Sequence, residues 1–278
     1  MQCLVGIQYK SETIIENDLS KYDEVIIFDL ADIHLGNEAF DKSLFESDLK
    51  FIKETSNAFV ILGGDLIENN TKNTVGSVFQ QLLSPREQKR MIVDYLKPIK
   101  HKILGSVQGN HEARIDNKSS DTDIAEDIAG ILGVPYNPFA VLNYISVGFN
   151  EKINRPYRYS ILTRHGSSGG TTISGAVNGS LKARNILLGV DIFMSGHTHQ
   201  QSVIDTQDRI WYSQSKSVRE INSKFITTGA YLSYSRGGYA VAHGMVGKKC
   251  GALGVVLSGL KKNIMVVDIP SAKLLVHR

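Results

Sequence analysis

The chain has 278 residues, of which 42% are hydrophobic and 21% are charged, as in an ordinary globular protein. Its two cysteines, Cys3 and Cys250, are too far apart and too few for a disulfide framework or a zinc ribbon. No apolar run approaches the roughly 20 residues of a membrane span, and acidic residues interrupt the first 20 positions, where a signal peptide would be apolar. We therefore expect a single domain over residues 1–278, in the cytoplasm, with no membrane partner.

The first half of the chain alternates between short apolar runs, which predict strands, and amphipathic segments, which predict helices. Strands are predicted at residues 25–30, 59–62 and 103–107. Helices are predicted at residues 40–55, from residue 85, and at residues 121–132. The second of these helices has a strong start signal, because Ser84 can cap it, Pro85 fits its first position and Glu87 can reach back to the cap.

From residue 140 onward the apolar runs are shorter and rich in β-branched and aromatic residues. We expect strands of a second sheet at residues 141–147, 157–162, 210–212, 255–257 and 264–269, and therefore a two-sheet sandwich with helices outside. The segment 166–179 is rich in glycine, serine and threonine. It is interpreted either as a mobile loop that covers the functional site or as a surface loop with no role.

Metal-ligand residues follow five of the apolar runs. The clearest case is Asp65, which comes after the run 59–62 and two glycines. Because strand ends at one edge of a sheet bring such residues together, we expect all five segments to lie at the same end of one sheet. The candidate ligands, in chain order, are Asp32, His34, Asp65, Asn110, His165, His197 and His199.

Carboxylate, imidazole and carboxamide groups suit Mn²⁺, Fe or Zn²⁺ better than soft thiophilic ions. Seven ligands are too many for one ion, so we divide them between two ions that share Asp65. The first ion takes Asp32, His34, Asp65 and His199, and the second takes Asp65, Asn110, His165 and His197. Two ions about 3.5–4 Å apart can clamp a phosphate and generate a hydroxide at neutral pH. The chemistry that fits this centre best is hydrolysis of a phosphoester.

Each of these residues also has a plain structural interpretation. An isolated Asp32 or Asp65 could be a turn residue or a helix cap, and Asn110 after a glycine could form a left-handed turn. To explain the pattern without a metal site, these structural interpretations would have to hold independently at all five strand ends.

Taken together, the motifs resemble the five-block signature of the calcineurin-like metallophosphoesterase superfamily over residues 25–200. The blocks are Asp32-x-His34, Gly64-Asp65-x-x-Glu68, Gly109-Asn110-His111-Glu112, His165 and Gly196-His197-x-His199. The resemblance implies a four-layer αββα sandwich of two mixed sheets flanked by helices, and a dinuclear centre with the ligand division given above. It also implies that His111 is not a ligand but an acid or phosphate contact oriented by Glu68. Mn²⁺ is the preferred ion, with Fe, Zn²⁺ or Ni²⁺ as alternatives.

The first block, Asp-x-His-Leu-Gly at residues 32–36, is similar to that of the SbcD-type DNA repair nucleases. Asn69, Asn70 and Gln108 stand where the protein Ser/Thr phosphatases carry arginine-containing motifs, which counts against that branch. Glu112 stands where the nucleases usually have Asp, and we expect this shorter chain to lack their additional capping domain.

The leading hypothesis for the substrate is DNA. Its phosphates would contact scattered basic residues, for which the candidates are Arg114, Arg155, Arg158 and Lys182. One alternative is a phosphodiesterase or pyrophosphatase acting on a small nucleotide-type substrate. Another is a catalytically inactive binding module on the same fold. The sequence leaves a homodimer open.

Overall fold

The computed structural model describes residues 4–8, 10–71, 81–114, 122–167, 173–236 and 247–276. The strands are β1 Leu4–Gln8, β2 Thr13–Leu19, β3 Glu24–Leu30, β4 Ala58–Leu62, β5 Ile103–Val107, β6 Tyr136–Asn137, β7 Val141–Asn150, β8 Arg155–Arg164, β9 Ile192–Ser195, β10 Ser202–Tyr212, β11 Ser217–Thr227, β12 Leu253–Ser258 and β13 Ile264–Asp268. The helices are α1 Lys42–Glu54, α2 Pro85–Leu96, α3 Ile124–Leu132, α4 Ile173–Leu181 and α5 Ile269–Val276.

These strands form two mixed sheets. The first has the order β13-β12-β3-β4-β5-β6, in which β3 to β6 are parallel and β12 and β13 are antiparallel to their neighbours. The second has the order β1-β2-β7-β8-β9-β11-β10, in which β8, β9 and β11 run parallel to one another. Parallel strands of one sheet end at the same edge, and this property positions the candidate ligands.

The two sheets pack face to face with helices outside, which confirms the predicted αββα sandwich. Ile27 and Ile61 of the first sheet pack against Ile145 and Ile161 of the second. The neighbouring residues of β3 and β4 point the other way, toward α1, α2, α3 and α5. On the far side of the second sheet, Leu181 at the end of α4 packs against a cluster of buried residues that includes Phe193 and Phe225.

Two strands belong to a different sheet from the one predicted. The runs at 255–257 and 264–269 form β12 and β13, and β12 pairs antiparallel with β3 of the first sheet. Short runs rich in β-branched residues indicate buried strands, but they do not specify which strands these pair with. The sequence pattern therefore cannot assign them to a sheet. Ile269 begins α5 rather than ending β13.

The capping residues in the sequence mark where helices begin. Ser84 and Glu87 form the predicted capping box of α2. The third helix begins at Ile124, because the side chain of Asp123 accepts a hydrogen bond from the Glu126 N–H and so caps it. In the segment predicted as a loop, residues 173–181 form α4, whereas residues 168–172 lie outside the described ranges. Among the helices that the structure describes, none combines the length and the apolar character needed to cross a membrane.

Candidate metal centre

The five ligand-bearing segments meet at one edge of the sandwich, where the ends of strands from both sheets come together. The segments after β3, β4 and β5 belong to the first sheet, and those after β8 and β9 belong to the second. The prediction that all five lie on one sheet was therefore wrong, although their convergence was correctly anticipated. The close approach depends on Gly196, since a Cβ at that position would lie 2.5 Å from Asp32 Oδ2.

Five of the seven candidate ligands have a left-handed backbone, which non-glycine residues rarely adopt. Their φ angles are 51° for Asp32, 51° for His34, 52° for Asp65, 69° for His197 and 56° for His199. Each such residue costs on the order of 1–3 kcal/mol, and residues of this kind cluster at functional sites. The concentration of this strain on ligand-type residues supports a functional role for the cluster.

A first group of donor atoms is formed by Asp32, His34 and His199. The Nε2 atoms of His34 and His199 are 3.0 Å apart, and His199 Nε2 is 3.4 Å from Asp32 Oδ1. Two nitrogens bound about 2.1 Å from one ion at right angles would be about 3.0 Å apart, so the observed spacing fits a shared ion. Asp32 Oδ1 is buried and has no hydrogen-bond partner among the described residues. An ion at this position would satisfy it.

A second group is formed by Asp65, Asn110, His165 and His197. Asn110 Oδ1 lies 2.9 Å from His165 Nε2 and 2.7 Å from His197 Nδ1. Asp65 Oδ2 lies 3.2 Å from His165 Nε2. The donor atoms of Asp65, His165 and His197 all lie within 4.8 Å of one another, as those of the first group do.

Asp65 stands between the two groups. Its Oδ2 is 3.2 Å from His165 Nε2 and 3.9 Å from His34 Nε2. Its Oδ1 accepts a hydrogen bond of 2.7 Å from the His111 N–H. Asp65 would therefore help to hold an ion at each group, while its Oδ1 is already engaged by the His111 N–H.

Two histidines are held so that their Nε2 atoms face these groups. His34 Nδ1 is 3.1 Å from the Glu68 carboxylate, and His165 Nδ1 is 2.8 Å from the Gly63 carbonyl oxygen. An imidazole that donates from Nδ1 presents Nε2 as a ligand, and such outer partners are usual for histidines that bind metals. The two-sheet sandwich and the order of the motifs resemble those of the calcineurin-like metallophosphoesterases.

The comparisons with known proteins give remote structural similarities. No family model matches the sequence, and no curated protein matches it. Vps29 of Chaetomium thermophilum is 15% identical, with a TM-score of 0.36 over 88% of this chain and 96% of Vps29. The nuclease MPE of Pseudomonas putida is 12% identical, with a TM-score of 0.35 over 87% of each chain. The NAD nucleotidase NadN of Haemophilus influenzae is 12% identical, with a TM-score of 0.40 over 88% of this chain and 49% of NadN. Similarities at this level say nothing about the activity of this chain.

His111 lies beside both groups of candidate ligands, but its contact with Glu68 differs from the predicted one. His111 Nδ1 is 2.6 Å from the backbone oxygen of Glu68, whereas the Glu68 carboxylate is 3.8 Å away and contacts His34 instead. Burial lowers the pKa of His111 to about 4, so the carboxylate does not keep this imidazole protonated at neutral pH. Glu68 thus holds His111 through its main chain.

Arg114 completes the surroundings of His111. Its guanidinium donates to His111 Nε2 at 2.8 Å and to the Asn70 side-chain oxygen at 2.9 Å. Since Nε2 accepts from Arg114, the proton of the neutral His111 ring resides on Nδ1. Of the four basic residues proposed from the sequence as phosphate contacts, Arg114 contacts the centre. Arg155 and Arg158 lie on the part of β8 that precedes the His165 end, and Arg158 is about 23 Å from it along the strand.

Two further residues of the site had no assigned role in the sequence analysis. Glu112 is fully buried, and its carboxylate accepts hydrogen bonds from the N–H groups of Asp65, Leu66, Ile67 and Gly109. It thereby ties the Asp65 loop to the Asn110 loop. The available signal was an acidic residue directly after His111. Lys248 donates from Nζ to the Thr198 carbonyl oxygen, between the two histidines of the fifth block, and no motif marked it.

The electrostatics of the cluster reflect its burial. Burial alone would lower the pKa of His34, but the Glu68 carboxylate, together with Asp65 and Asp32, raises it to about 9. Burial would likewise lower the pKa of His165, but the Asp65 carboxylate raises it to about 10. These buried carboxylates therefore favour positive charge at both groups, which is the environment that a divalent cation requires.

Proposed function

We propose that this protein is a dinuclear metal-dependent phosphodiesterase that hydrolyses DNA. The observation that carries the proposal is the position of Asp65 Oδ2 between two groups of buried donor atoms. A single structural metal would need only one such group, and a mere turn or cap would not need the imidazoles.

The residues fit two ions in the division given by the sequence. Asp32, His34, Asp65 and His199 would hold one ion, and Asp65, Asn110, His165 and His197 would hold the other. Oxygen and imidazole donors favour Mn²⁺, with Fe, Zn²⁺ or Ni²⁺ as alternatives. When bound, such a pair would supply a hydroxide at neutral pH, and its positive charge would stabilise the negative charge on the attacking and leaving oxygens.

The residues beside the ions would orient the phosphate and handle the proton. Arg114 places a fixed positive charge next to His111 and can donate to a phosphate oxygen while its other N–H groups remain bonded. A bound phosphate next to His111 would raise the pKa of the imidazole, because a nearby anion favours its charged form. Once Nε2 is protonated it can no longer accept from Arg114, so Arg114 Nη2 would leave Nε2 for the phosphate while Nη1 stays bonded. His111 could then give its proton to the leaving oxygen from Nε2 while Nδ1 stays bonded to the Glu68 backbone.

DNA as the substrate is supported by the first-block motif, by the net charge of +3 and by two cationic residues, Arg114 and Lys248, at the centre. A small nucleotide-type diester would use the same ions and the same Arg114. The choice between them is therefore a matter for experiment.

The test compares end-labelled single- and double-stranded DNA with a simple aryl phosphodiester, using the Mn²⁺-loaded protein. Asp65→Asn removes one charge from the centre, and Asp94→Asn, at an exposed position of α2, is the matched control. We expect DNA cleavage by the wild type and by Asp94→Asn, and none by Asp65→Asn. If the aryl diester is hydrolysed while DNA stays intact, the substrate is a small phosphodiester rather than DNA. If neither compound is cleaved, the protein is a binding module and the proposal fails.

A further inference from the structure

The β10 edge of the second sheet is unusual in its length. In the described part of the chain, β10 pairs only with β11, and all 11 of its residues pair without a break in register. The other sheet edges are short, with five residues in β1, five in β13 and two in β6. An edge strand presents a row of unpaired N–H and C=O groups, so a long and regular one is a template for another strand.

β10 lacks several of the features that protect an edge strand, which are proline, lysine and β-bulges, although charged side chains also protect edges. It does carry charged residues, namely Asp205, Arg209 and Asp208, and the last of these is paired with Arg184 within the chain. The sequence of β10, SVIDTQDRIWY, contains no proline, glycine or lysine. Its two largest exposed apolar side chains, Val203 and Trp211, are 46% and 61% exposed and lie on the same face of the sheet.

The sequence of β10 suits antiparallel pairing with a second copy of itself. If two copies pair antiparallel with Gln207 opposite Gln207, Asp205 of each copy faces Arg209 of the other. Val203 then faces Trp211, and Ile204 faces Ile210. Opposite charges and apolar pairs directly across an antiparallel ladder are both stabilising. Asp205 is available for this contact, because its side chain is 70% exposed although it also contacts Lys224.

Other registers that keep each side chain on its own face are worse. Shifting the centre of symmetry to Thr206 places Ile204 opposite Asp208 and Val203 opposite Arg209. Shifting it to Asp208 places that carboxylate opposite its own copy and Asp205 opposite Trp211. The pairing centred on Gln207 is the one that avoids both apolar-to-charged and like-charge pairs, and it uses all 11 residues.

We propose that two copies of this chain associate through β10 into a two-fold symmetric dimer, in which the second sheets join into one continuous sheet. A two-fold axis through Gln207 makes the interface isologous, as in most homodimers. Strand addition at an open edge supplies main-chain hydrogen bonds, and the Asp205–Arg209 pairs set the register.

The register is tested by disulfide trapping in a background that carries Cys3→Ser and Cys250→Ser. Directly opposed residues of antiparallel strands have Cα atoms about 4.5–5.5 Å apart, within the range of a disulfide. Gln207→Cys should therefore form a covalent dimer under mild oxidation. Asp205→Cys, two residues away on the same face, would be separated from its copy by about 13 Å and should not. Efficient trapping at position 205, or none at 207, would overturn the proposed pairing.

Charge reversal gives an independent test. By light scattering the wild type should have about twice the chain mass of 30.7 kDa. Asp205→Arg and Arg209→Asp each create like-charge pairs, so each variant alone should dissociate with a dissociation constant at least tenfold higher. An equimolar mixture of the two should regain the dimer, because opposite charges then face each other. Lys216→Glu, in the hairpin turn, changes the net charge as much as Arg209→Asp and should remain dimeric.

The single tryptophan, Trp211, reports the same event without a label, since its emission should shift to the red when the dimer dissociates on dilution. A monomeric wild type at tens of micromolar, or a mixture that stays monomeric while both variants are folded by circular dichroism, would refute the interface. If a charge variant fails to fold, the trapping results for Gln207→Cys and Asp205→Cys alone decide whether the interface exists.

Discussion

Replacement of Glu112 by glutamine tests how the centre is held together. Each carboxylate oxygen accepts two backbone N–H groups: Oε1 accepts from Leu66 and Ile67, and Oε2 accepts from Asp65 and Gly109. A carboxamide has only one accepting oxygen, so one pair of N–H groups would face an NH₂ group. Burial raises the pKa of Glu112 to about 7, so this carboxyl is only partly ionised at neutral pH. Each hydrogen bond then contributes between about 0.5–1.5 kcal/mol, for a neutral partner, and about 1.5–3 kcal/mol, for a charged one. The loss of two predicts a decrease in unfolding free energy of about 1–6 kcal/mol.

The decrease should be measured by urea unfolding of the metal-free protein, followed by circular dichroism. Glu54→Gln, at an exposed position at the end of α1, is the matched control and should change the unfolding free energy by less than about 0.5 kcal/mol. Metal affinity should fall in Glu112→Gln as well, because the carboxylate fixes the backbone that carries Asp65. A decrease below about 1 kcal/mol would refute the role assigned to Glu112.

Three further predictions concern metal, catalysis and pH. Asp65→Asn should weaken binding at both metal positions and abolish hydrolysis; full activity with two ions bound would disprove the bridge. His111→Ala should keep its metal content but lose about 10²–10⁴-fold in rate, whereas His101→Ala should be unaffected, and loss of metal from the His111 variant would make it a ligand. Burial raises the pKa of Asp48 from its ordinary value of 3.8 to about 6, so the folded state retains a proton that the unfolded state has lost. The unfolding free energy should therefore fall by about 2 kcal/mol as pH rises from 4 to 7, and Asp48→Asn should remove that share of the pH dependence in urea titrations; an unchanged profile would contradict it.

The sequence predicted the strand ends and the ligand cluster because both depend on local signals. An apolar run that is followed by glycine and then by an aspartate or a histidine can be recognised without knowledge of the fold. Convergence followed from the parallel arrangement of strands. The assignment of strands to sheets was less successful, since β12 returns to pair with β3 more than 200 residues earlier in the chain. Nothing in the composition of β12 specifies that long-range partner.

The length of β10 was also underestimated, with residues 210–212 predicted and Ser202–Tyr212 observed. The missed part contains Asp205, Gln207 and Asp208, because both faces of this hairpin strand are partly exposed and the apolar signal is weak. The interaction of Glu68 was missed for a different reason. Which of two nearby histidines receives a carboxylate depends on side-chain geometry that sequence spacing does not determine.

The proposed hydrolysis requires two ions that share Asp65, and anomalous diffraction from crystals soaked in Mn²⁺ tests for them most directly. We predict two anomalous peaks about 3.5–4 Å apart, one near His34 and His199 and the other near His165 and Asn110, with Asp65 Oδ2 bound to both. A single peak, or two peaks of which one does not contact Asp65, would contradict the dinuclear centre.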